Sequence, residues 1–186
     1  MKKLVTFIIL LISSTFIWSQ DLKEEDAQRN NELHLNVLYP IAFKSFEASY
    51  ERILNEDNSF GVSALYANYE NLNHHYMISP YYRKYFSNGY AKGFFLDVFV
   101  SANGGKYENY DSYSYFDEEI DNWVYIDNSE EKNYNDVAFG IGAGVKFLTS
   151  DHFVGILQGG IARNLFTSDY PSELIGKGGI SIGYRF

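Results

Sequence analysis

The sequence predicts an all-β fold, an eight-stranded antiparallel up-and-down β-barrel, from three observations. Residues 32–186 hold eight segments of roughly ten residues in which apolar side chains alternate with polar or small ones. The composition favours strands and turns, with 17 Tyr, 15 Phe and 15 Gly against only 3 Pro. The connections after the second, fourth and sixth segments are short, and those after the third, fifth and seventh are longer. With an even strand number, both ends of the barrel chain then lie beside the short turns.

The first four strands are predicted at residues 32–39, 45–54, 59–69 and 76–86. In the first, Leu33, Leu35, Val37 and Tyr39 share the apolar face, and Pro40 ends the strand. Its connection to the second strand, near 40–44, is short and departs from the alternation of lengths. Pro80 removes a backbone donor within the fourth strand and predicts a bulge or a local break there.

The last four strands are predicted at 93–103, 136–148, 152–164 and 178–186. The sixth alternates most clearly, with glycines at 140, 142 and 144 on its less apolar face. We expect these glycines to make room for long Arg and Tyr side chains from facing strands. The seventh strand is apolar at both alternating sets of positions, so its inward face stays open.

The less apolar faces of the strands collect charged side chains of both signs. An eight-stranded barrel has an interior just wide enough for side chains, and charges cannot sit there unpaired. Three acids and three bases are available to neutralise one another. The sequence therefore predicts a polar interior filled by a charge network, without an open pore, formed by Glu47, Glu51, Arg83, Asp97, Lys146 and Arg185.

The N-terminal residues have the pattern of an export signal. Lys2 and Lys3 precede an uncharged, mostly apolar run from Leu4 to Trp18. We predict a signal peptide at 1–20, cleaved after Ser19 or Gln20, and a polar leader at 21–31. The alternative, a transmembrane anchor, would need about 20 apolar residues. No later stretch is long and apolar enough for a membrane helix, so any crossing by the mature chain must use strands.

The last strand carries a resemblance to a known class of proteins. Ile180, Ile182, Tyr184 and Phe186 lie on one face, small residues and Arg185 lie on the other, and the sequence stops at Phe. This strand resembles the last strand of Gram-negative outer-membrane β-barrels. Residues 32–186 as a whole look like the small outer-membrane barrel proteins of the porin-like superfamily, a group largely without assigned function. The resemblance implies a transmembrane barrel in contact with outer-membrane lipid, whose last strand is read by the β-barrel assembly machinery.

A soluble periplasmic barrel of lipocalin type is the alternative. Its apolar face would point inward around a hydrophobic ligand held by Leu96, Val98, Phe139 and Ile141. Aromatic residues near the segment ends favour the membrane interpretation, since membrane barrels carry aromatic girdles at both interfaces. These residues are Tyr39, Tyr66, Tyr82, Phe86, Phe94, Tyr184 and Phe186.

Little in the sequence indicates a catalytic, metal-binding or nucleic-acid-binding function. The net charge of −9 argues against a nucleic-acid partner, and there is no Cys. His74 and His75 form an adjacent pair in a predicted loop, without the spaced third ligand that a metal site requires. Some eight-stranded barrels are lipid-modifying enzymes that use His with Ser or an acid, and Ser63, Ser79 and Glu70 are near in sequence. We expect no catalysis, cofactor or metal, and we keep an outer-membrane lipid-modifying enzyme as an alternative.

Residues 104–134 form a long acidic segment that is also rich in aromatic residues. Only Lys106 and Lys132 accompany its nine acids, and the spacing of a calcium-binding loop is absent. The interpretation that needs no specific function is a solvated outer loop. Its aromatics also suit a hairpin that extends the fifth and sixth strands, or a recognition surface for an extracellular or envelope partner. The acids are Glu108, Asp111, Asp117, Glu118, Glu119, Asp121, Asp127, Glu130 and Glu131.

Overall fold

The structure is a computed structural model. It describes residues 29–67, 75–87, 89–109, 112–117, 121–150, 152–166 and 173–186. The predicted signal peptide and most of the predicted leader lie outside these residues, as do Glu70, His74, Asp111, Glu118 and Glu119.

Eight strands close into an antiparallel barrel, which confirms the predicted fold class. Going round the barrel, the order is β1, β10, β9, β8, β5, β4, β3 and β2, and β1 closes the ring between β10 and β2. The barrel strands are Asn31–Asn36 (β1), Ser45–Asn55 (β2), Asn58–Ala67 (β3), Tyr76–Tyr85 (β4), Gly93–Asn109 (β5), Glu130–Leu148 (β8), Phe153–Asn164 (β9) and Leu174–Arg185 (β10).

The two ends of the barrel differ. One end carries the β2–β3, β4–β5 and β8–β9 connections together with Asn31 and Arg185, and we call it the short-turn end. The opposite end, the long-loop end, carries the β1–β2, β3–β4, β5–β8 and β9–β10 connections. Both described ends of the barrel chain meet at the short-turn end, where the backbones of Asn31 and Phe186 exchange two hydrogen bonds.

The first strand is shorter than predicted. Alternation in the sequence extends to Tyr39, but β1 ends at Asn36 and a short helix, α1 (Leu38–Phe43), follows with Pro40 inside its first turn. The Asn36 side-chain oxygen accepts hydrogen bonds from the backbone N–H groups of Leu38 and Tyr39, which turns the chain out of the strand. Tyr39 is therefore buried at the long-loop end, and its predicted place on the outer apolar face is wrong.

The acidic segment is largely strand. β5 and β8 pair continuously as far as Asn109 and Glu130, well beyond the predicted ends at 103 and 136. Beyond them, β6 (Ser112–Asp117) and β7 (Asn122–Asp127) form a separate two-stranded sheet. The extended-hairpin interpretation of this segment is thus confirmed, and we call residues 112–117 and 122–127 the outer hairpin.

Two local expectations are resolved by the strand pairings. Pro80 lies within a continuous β4, where pairing with β5 is interrupted beside it without a change of register. In β9, Val154, Ile156 and Ala162 are buried inside the barrel, whereas Leu157 and Ile161 are exposed outside. The inward face that the sequence left open is therefore the set of even-numbered positions.

Apolar clusters fill both ends of the barrel interior. Toward the long-loop end, Tyr39 of α1 packs with Leu65, Met77 and Phe99. Toward the short-turn end, the β4–β5 connection folds inward, so that Ala91 packs with Ile53, Tyr85 and Phe95. The charged residues described next lie between and beside these clusters.

Candidate functional site

A chain of alternating charges crosses the barrel interior, and we call it the lumen charge cluster: Glu32, Glu51, Arg83, Asp97, Lys146 and Arg185. Starting from β10, Arg185 pairs with Glu32 at 2.7 Å, and Glu32 pairs with Lys146 at 2.7 Å. Lys146 pairs with Glu51 at 2.6 Å, Glu51 with Arg83 at 2.9 Å, and Arg83 with Asp97 at 3.0 Å. The six residues come from six different strands, so the cluster ties β10, β1, β8, β2, β4 and β5 together.

The alternation of each strand delivers these side chains inward. Glu32 and Glu51 are Cα partners across β1 and β2, and Arg83 and Asp97 are partners across β4 and β5. Cα partners on neighbouring strands point to the same side of the sheet, so both members of each pair point into the barrel and lie close to each other. Arg83 and Asp97 pair directly, whereas the two carboxylates Glu32 and Glu51 are bridged by Lys146. Their immediate neighbours along the strands point outward.

The cluster is neutral, and its charged groups are all paired, although the buried Arg83 Nε has no hydrogen-bond partner. Three carboxylates (Glu32, Glu51, Asp97) face three cations (Arg83, Lys146, Arg185), so the formal charges cancel when His34 is neutral. All but Asp97 are almost completely buried, and Asp97 is 11% exposed. Burial of these charges is tolerated because each of them is paired with an opposite charge.

Aromatic side chains complete the surroundings of the cluster. Tyr85 donates to Glu51 at 2.6 Å and Tyr81 donates to the same carboxylate at 3.0 Å. The Arg83 guanidinium lies 3.7 Å from the ring centroid of Phe95, in a cation–π arrangement. Arg185 donates to the backbone carbonyls of Tyr90 and Ala91, which holds the inward-folded β4–β5 connection in place.

The structure brings five of the six sequence-predicted interior charges together and places the sixth elsewhere. Glu51, Arg83, Asp97, Lys146 and Arg185 belong to the cluster, whereas Glu47 lies nearer the long-loop end and accepts a hydrogen bond from Asn36 at 2.8 Å.

Sequence reasoning missed several interior polar residues. Glu32 is the first residue of the first predicted strand, and it was not assigned to the interior. Its spacing of two from His34, which puts both on the same face, could have indicated that it points inward. Lys177 was missed because the last strand begins at Leu174, earlier than the predicted 178. Lys177 donates to Ser63 at 2.6 Å, and Gln158 of β9 accepts from Arg83 at 2.8 Å.

The glycines of β8 serve neighbours different from those predicted. A Cβ at Gly140 would meet the ring of Phe99, and one at Gly144 would meet the ring of Phe95. A Cβ at Gly142 would meet the Asp97 carboxylate. These glycines therefore admit side chains of the adjacent strand β5, and the expectation of long Arg and Tyr side chains from facing strands is wrong.

Ser49, His34 and Glu32 form a relay with the connectivity of a nucleophile, base and acid. The His34 ring nitrogens lie 3.2 Å from the Ser49 hydroxyl and 2.8 Å from the Glu32 carboxylate. However, Glu32 also pairs with Lys146 and Arg185, and the cavity beside Ser49 and His34 has a volume of about 10 Å³. That is room for about one water molecule. The relay has no space for an acyl substrate and acts as part of the interior hydrogen-bond network.

Three side chains of the kinds that bind metal ions lie in the same region, but Lys and Arg side chains already pair with the carboxylates among them. Ligand atoms of Glu32, His34 and Glu51 lie within 4.8 Å of one another. Both carboxylates accept from Lys146, and Arg185 and Arg83 bind one carboxylate each. A divalent ion would therefore meet three buried positive charges at this position. The arrangement suits an internal salt-bridge network and does not suit a metal centre.

The remaining residues singled out by sequence do not assemble into a site within the described part of the chain. The backbone of His75 bridges β3 and β5 at the long-loop end, through Ala67 and Gly104. Ser63 and Ser79 point into the barrel, where Ser79 hydrogen-bonds Ser101 at 2.8 Å. His152 lies at the opposite, short-turn end.

The outer surface of the barrel is apolar. Outward-facing side chains of every barrel strand are large and exposed, for example Leu33 (53%), Phe60 (50%), Ile141 (57%) and Ile182 (56%). Leu96, Val98 and Phe139 also point outward, which is the reverse of the lipocalin-like arrangement. Of the aromatic residues predicted near strand ends, Tyr66, Tyr82, Phe86, Phe94, Tyr184 and Phe186 are exposed, and Tyr39 is not.

Comparisons with known proteins give no match. The chain matches no protein-family model, no curated protein and no solved structure. Within the described residues, no helix is long and apolar enough to span a membrane, a result that does not bear on crossing by strands.

Proposed function

We propose that this protein is an integral outer-membrane β-barrel with a filled polar interior, whose role is structural or surface-interacting and not catalytic. The observation that carries the proposal is the distribution of polarity across the barrel wall. Buried ion pairs occupy the inside, while large aliphatic and aromatic side chains are exposed on the outside of all eight strands. In water such an exposed apolar belt would be a severe liability, whereas in lipid it is the favourable arrangement.

Strand geometry supports a membrane environment. A closed barrel satisfies its backbone hydrogen bonds between neighbouring strands, which a lipid environment requires. Several barrel strands have 10–12 residues, close to the ~9–11 that a tilted membrane-spanning strand needs. Exposed aromatics at the strand ends suit the two membrane interfaces.

Export and assembly signals support the outer membrane as the destination. The N-terminal pattern is typical of a signal peptide, and the exposed Phe186 directly follows β10, beside the barrel closure with β1. On this proposal the short-turn end faces the periplasm and the long-loop end faces outward. The assembly machinery would read β10 together with Phe186.

The outer hairpin and the extended β5–β8 ribbon are the proposed place of interaction with an extracellular or envelope partner. Exposed aromatics cover both of its faces, including Tyr113 (54%), Trp123 (67%) and Tyr125 (66%). Aromatic side chains offer large contact area at low entropic cost, and acids accompany them throughout 104–134.

The deciding experiment is heat-modifiability after fractionation of cells that express the full chain. We expect the protein in the detergent-extracted membrane fraction, with a gel band that shifts only on boiling, because a lipid-embedded barrel resists denaturant at room temperature. Recovery in the soluble periplasmic extract, with the same mobility before and after boiling, would refute the membrane proposal.

A further inference from the structure

The outer wall of the barrel carries a wide apolar groove with a volume of about 760 Å³. It crosses four strands, because its floor follows one row of Cα partners: Lys84 and Leu96, then Leu96 and Ala143, then Ala143 and Gly159. The groove exists because the row becomes small at Ala143 and Gly159, where neighbouring rows carry large side chains.

One flank of the groove is a parallel row of apolar residues, formed by Tyr82, Val98, Ile141 and Ile161. Phe86 lines the groove near the end of β4. The volume falls within the range of ~300–1,000 Å³ that is typical of small-molecule sites, which are mostly apolar with a few placed polar groups.

The groove is directional. Lys84 is the last residue but one of β4, at the short-turn end, whereas Gly159 is seventh of the twelve residues of β9. The floor therefore runs from the barrel rim toward mid-barrel, over three strand spacings or about 14 Å. Such a path, oblique to the barrel axis, leads from a membrane interface into one leaflet.

The polar groups at the groove indicate which end of an occupant lies where. At the rim, the Lys84 ammonium pairs with Asp57 at 3.1 Å, and both side chains are about half exposed. Exposed pairs of this kind contribute little, so the ammonium can also bind an anion. Toward the middle, Gly142 and Gly160 bring the Asp97 carboxylate close to the floor, but its pairing with Arg83 neutralises it.

We propose that this groove binds one phospholipid of the leaflet at the short-turn end, with its phosphate at Lys84 and an acyl chain along the floor to Gly159. The chemistry matches at both ends, since a cation meets the anionic head group and an apolar trough meets the chain. This site rests on the proposed membrane function, because a groove that faced water would have no leaflet beside it.

Two matched glycines allow a clean test. A Cβ added at Gly159 or at Gly155 meets nothing within 4 Å, and both positions face outward on β9. Only Gly159 lines the groove. Gly159→Leu should therefore block the floor without disturbing the fold, and Gly155→Leu is its control. At the rim, Lys84→Glu reverses the charge, and Lys132→Glu makes the same change at the opposite end.

The measurement is native mass spectrometry of the full chain after refolding into vesicles of phosphatidylglycerol and phosphatidylethanolamine and release by detergent. The wild-type barrel should retain one phospholipid, with retention of phosphatidylglycerol about tenfold weaker in Gly159→Leu. Lys84→Glu should also lose it, while Gly155→Leu and Lys132→Glu should behave as wild type. Each variant is first checked for an unboiled folded band.

Other outcomes would overturn the site. The proposed lipid site would be wrong if the wild-type barrel retained no phospholipid. It would also be wrong if Gly159→Leu and Gly155→Leu retained phospholipid equally. A dimer that Gly159→Leu dissociates would instead assign the groove to a second copy of this chain. In these cases flotation of the barrel with vesicles would leave the membrane function standing. Recovery of the protein outside the vesicles would overturn the membrane function and the lipid site together.

Discussion

The Glu51 carboxylate is the point at which four interior side chains meet. It accepts from Arg83, Lys146, Tyr81 and Tyr85, and it is completely buried. Because the lumen charge cluster is neutral as a whole, removal of any one charge leaves a buried excess. Breaking such a pair on one side costs far more than the net contribution of the intact pair.

At this scale we predict that Glu51→Gln lowers the free energy of unfolding by about 3–5 kcal/mol. Urea titration in vesicles, followed by circular dichroism, measures the change. Asp57→Asn is the control, because it breaks the exposed pair with Lys84 and should cost less than about 1 kcal/mol. Equal losses in the two variants would show that the interior pairs contribute no more than surface ones.

The helix α1 acts as a lid over the interior at the long-loop end. Its Tyr39 ring packs at 5.6 Å from Phe43 and contacts the apolar cluster that includes Leu65 and Phe99. Burial, together with the nearby Glu47 carboxylate, raises the pKa of Tyr39 to about 12, although a hydrogen bond with the Gly178 backbone acts in the opposite direction.

The element-scale consequence for α1 is a loss of stability at alkaline pH. In the unfolded chain Tyr39 ionises near pH 10, while in the folded chain it keeps its proton until about pH 12. The contribution of Tyr39 to the free energy of unfolding is thus fully present below about pH 10. As the pH rises from about 10 to about 12, the free energy of unfolding falls by roughly 2–3 kcal/mol. Tyr39→Phe should reduce the alkaline loss in urea titrations by this amount. An alkaline loss of the same size in the wild type and in Tyr39→Phe would contradict this prediction.

The outer hairpin is a second separable element. Asn109 and Glu130 are direct Cα partners at the end of the β5–β8 ladder, and the hairpin forms its own two-stranded sheet beyond them. Two-stranded sheets are only marginally stable alone, so the barrel gains little from it.

We therefore predict that replacing residues 110–129 with Asn-Gly leaves the barrel folded, since a two-residue turn suits strands paired at that point. The unboiled band should persist and the urea midpoint should stay close to that of the wild type. Loss of the heat shift would mean that the removed residues help to hold the barrel together.

At the scale of the whole molecule, the inverted polarity makes its environment testable by substitution. Leu157 and Phe153 face outward on β9 with similar exposure, 56% and 60%, but Leu157 lies near mid-strand and Phe153 at the short-turn end. A water-exposed surface would tolerate Arg at both positions to within about 0.5 kcal/mol.

In a bilayer, Leu157→Arg should cost about 2–4 kcal/mol and Phe153→Arg about 0–1 kcal/mol, because the cost of a charge grows with depth. Urea titration of both variants in the same vesicles gives the comparison. Equal losses of stability in Leu157→Arg and Phe153→Arg would contradict a position of β9 in the membrane.

The sequence alone was sufficient for the fold class, for the even strand number and for most strand faces. Alternation is a local property, because successive side chains of a strand point to opposite sides whatever the strand pairs with. Arg83, Asp97 and Lys146 could therefore be directed inward from their strands alone. In β9, where both sets of positions are apolar, only packing selected the face.

The tertiary structure decided which charges meet and where the strands end. Glu32 and Arg185 are 153 positions apart, and their contact depends on closure of the ring between β1 and β10. Glu32, not Glu47, completes the cluster because it lies in the same inward row as Glu51. Likewise, β5 runs on to Asn109 because β8 pairs with it there, and Tyr39 turns into a helix despite its alternation. Pairing and capping are relations between distant or competing groups, which a pattern along one segment does not contain.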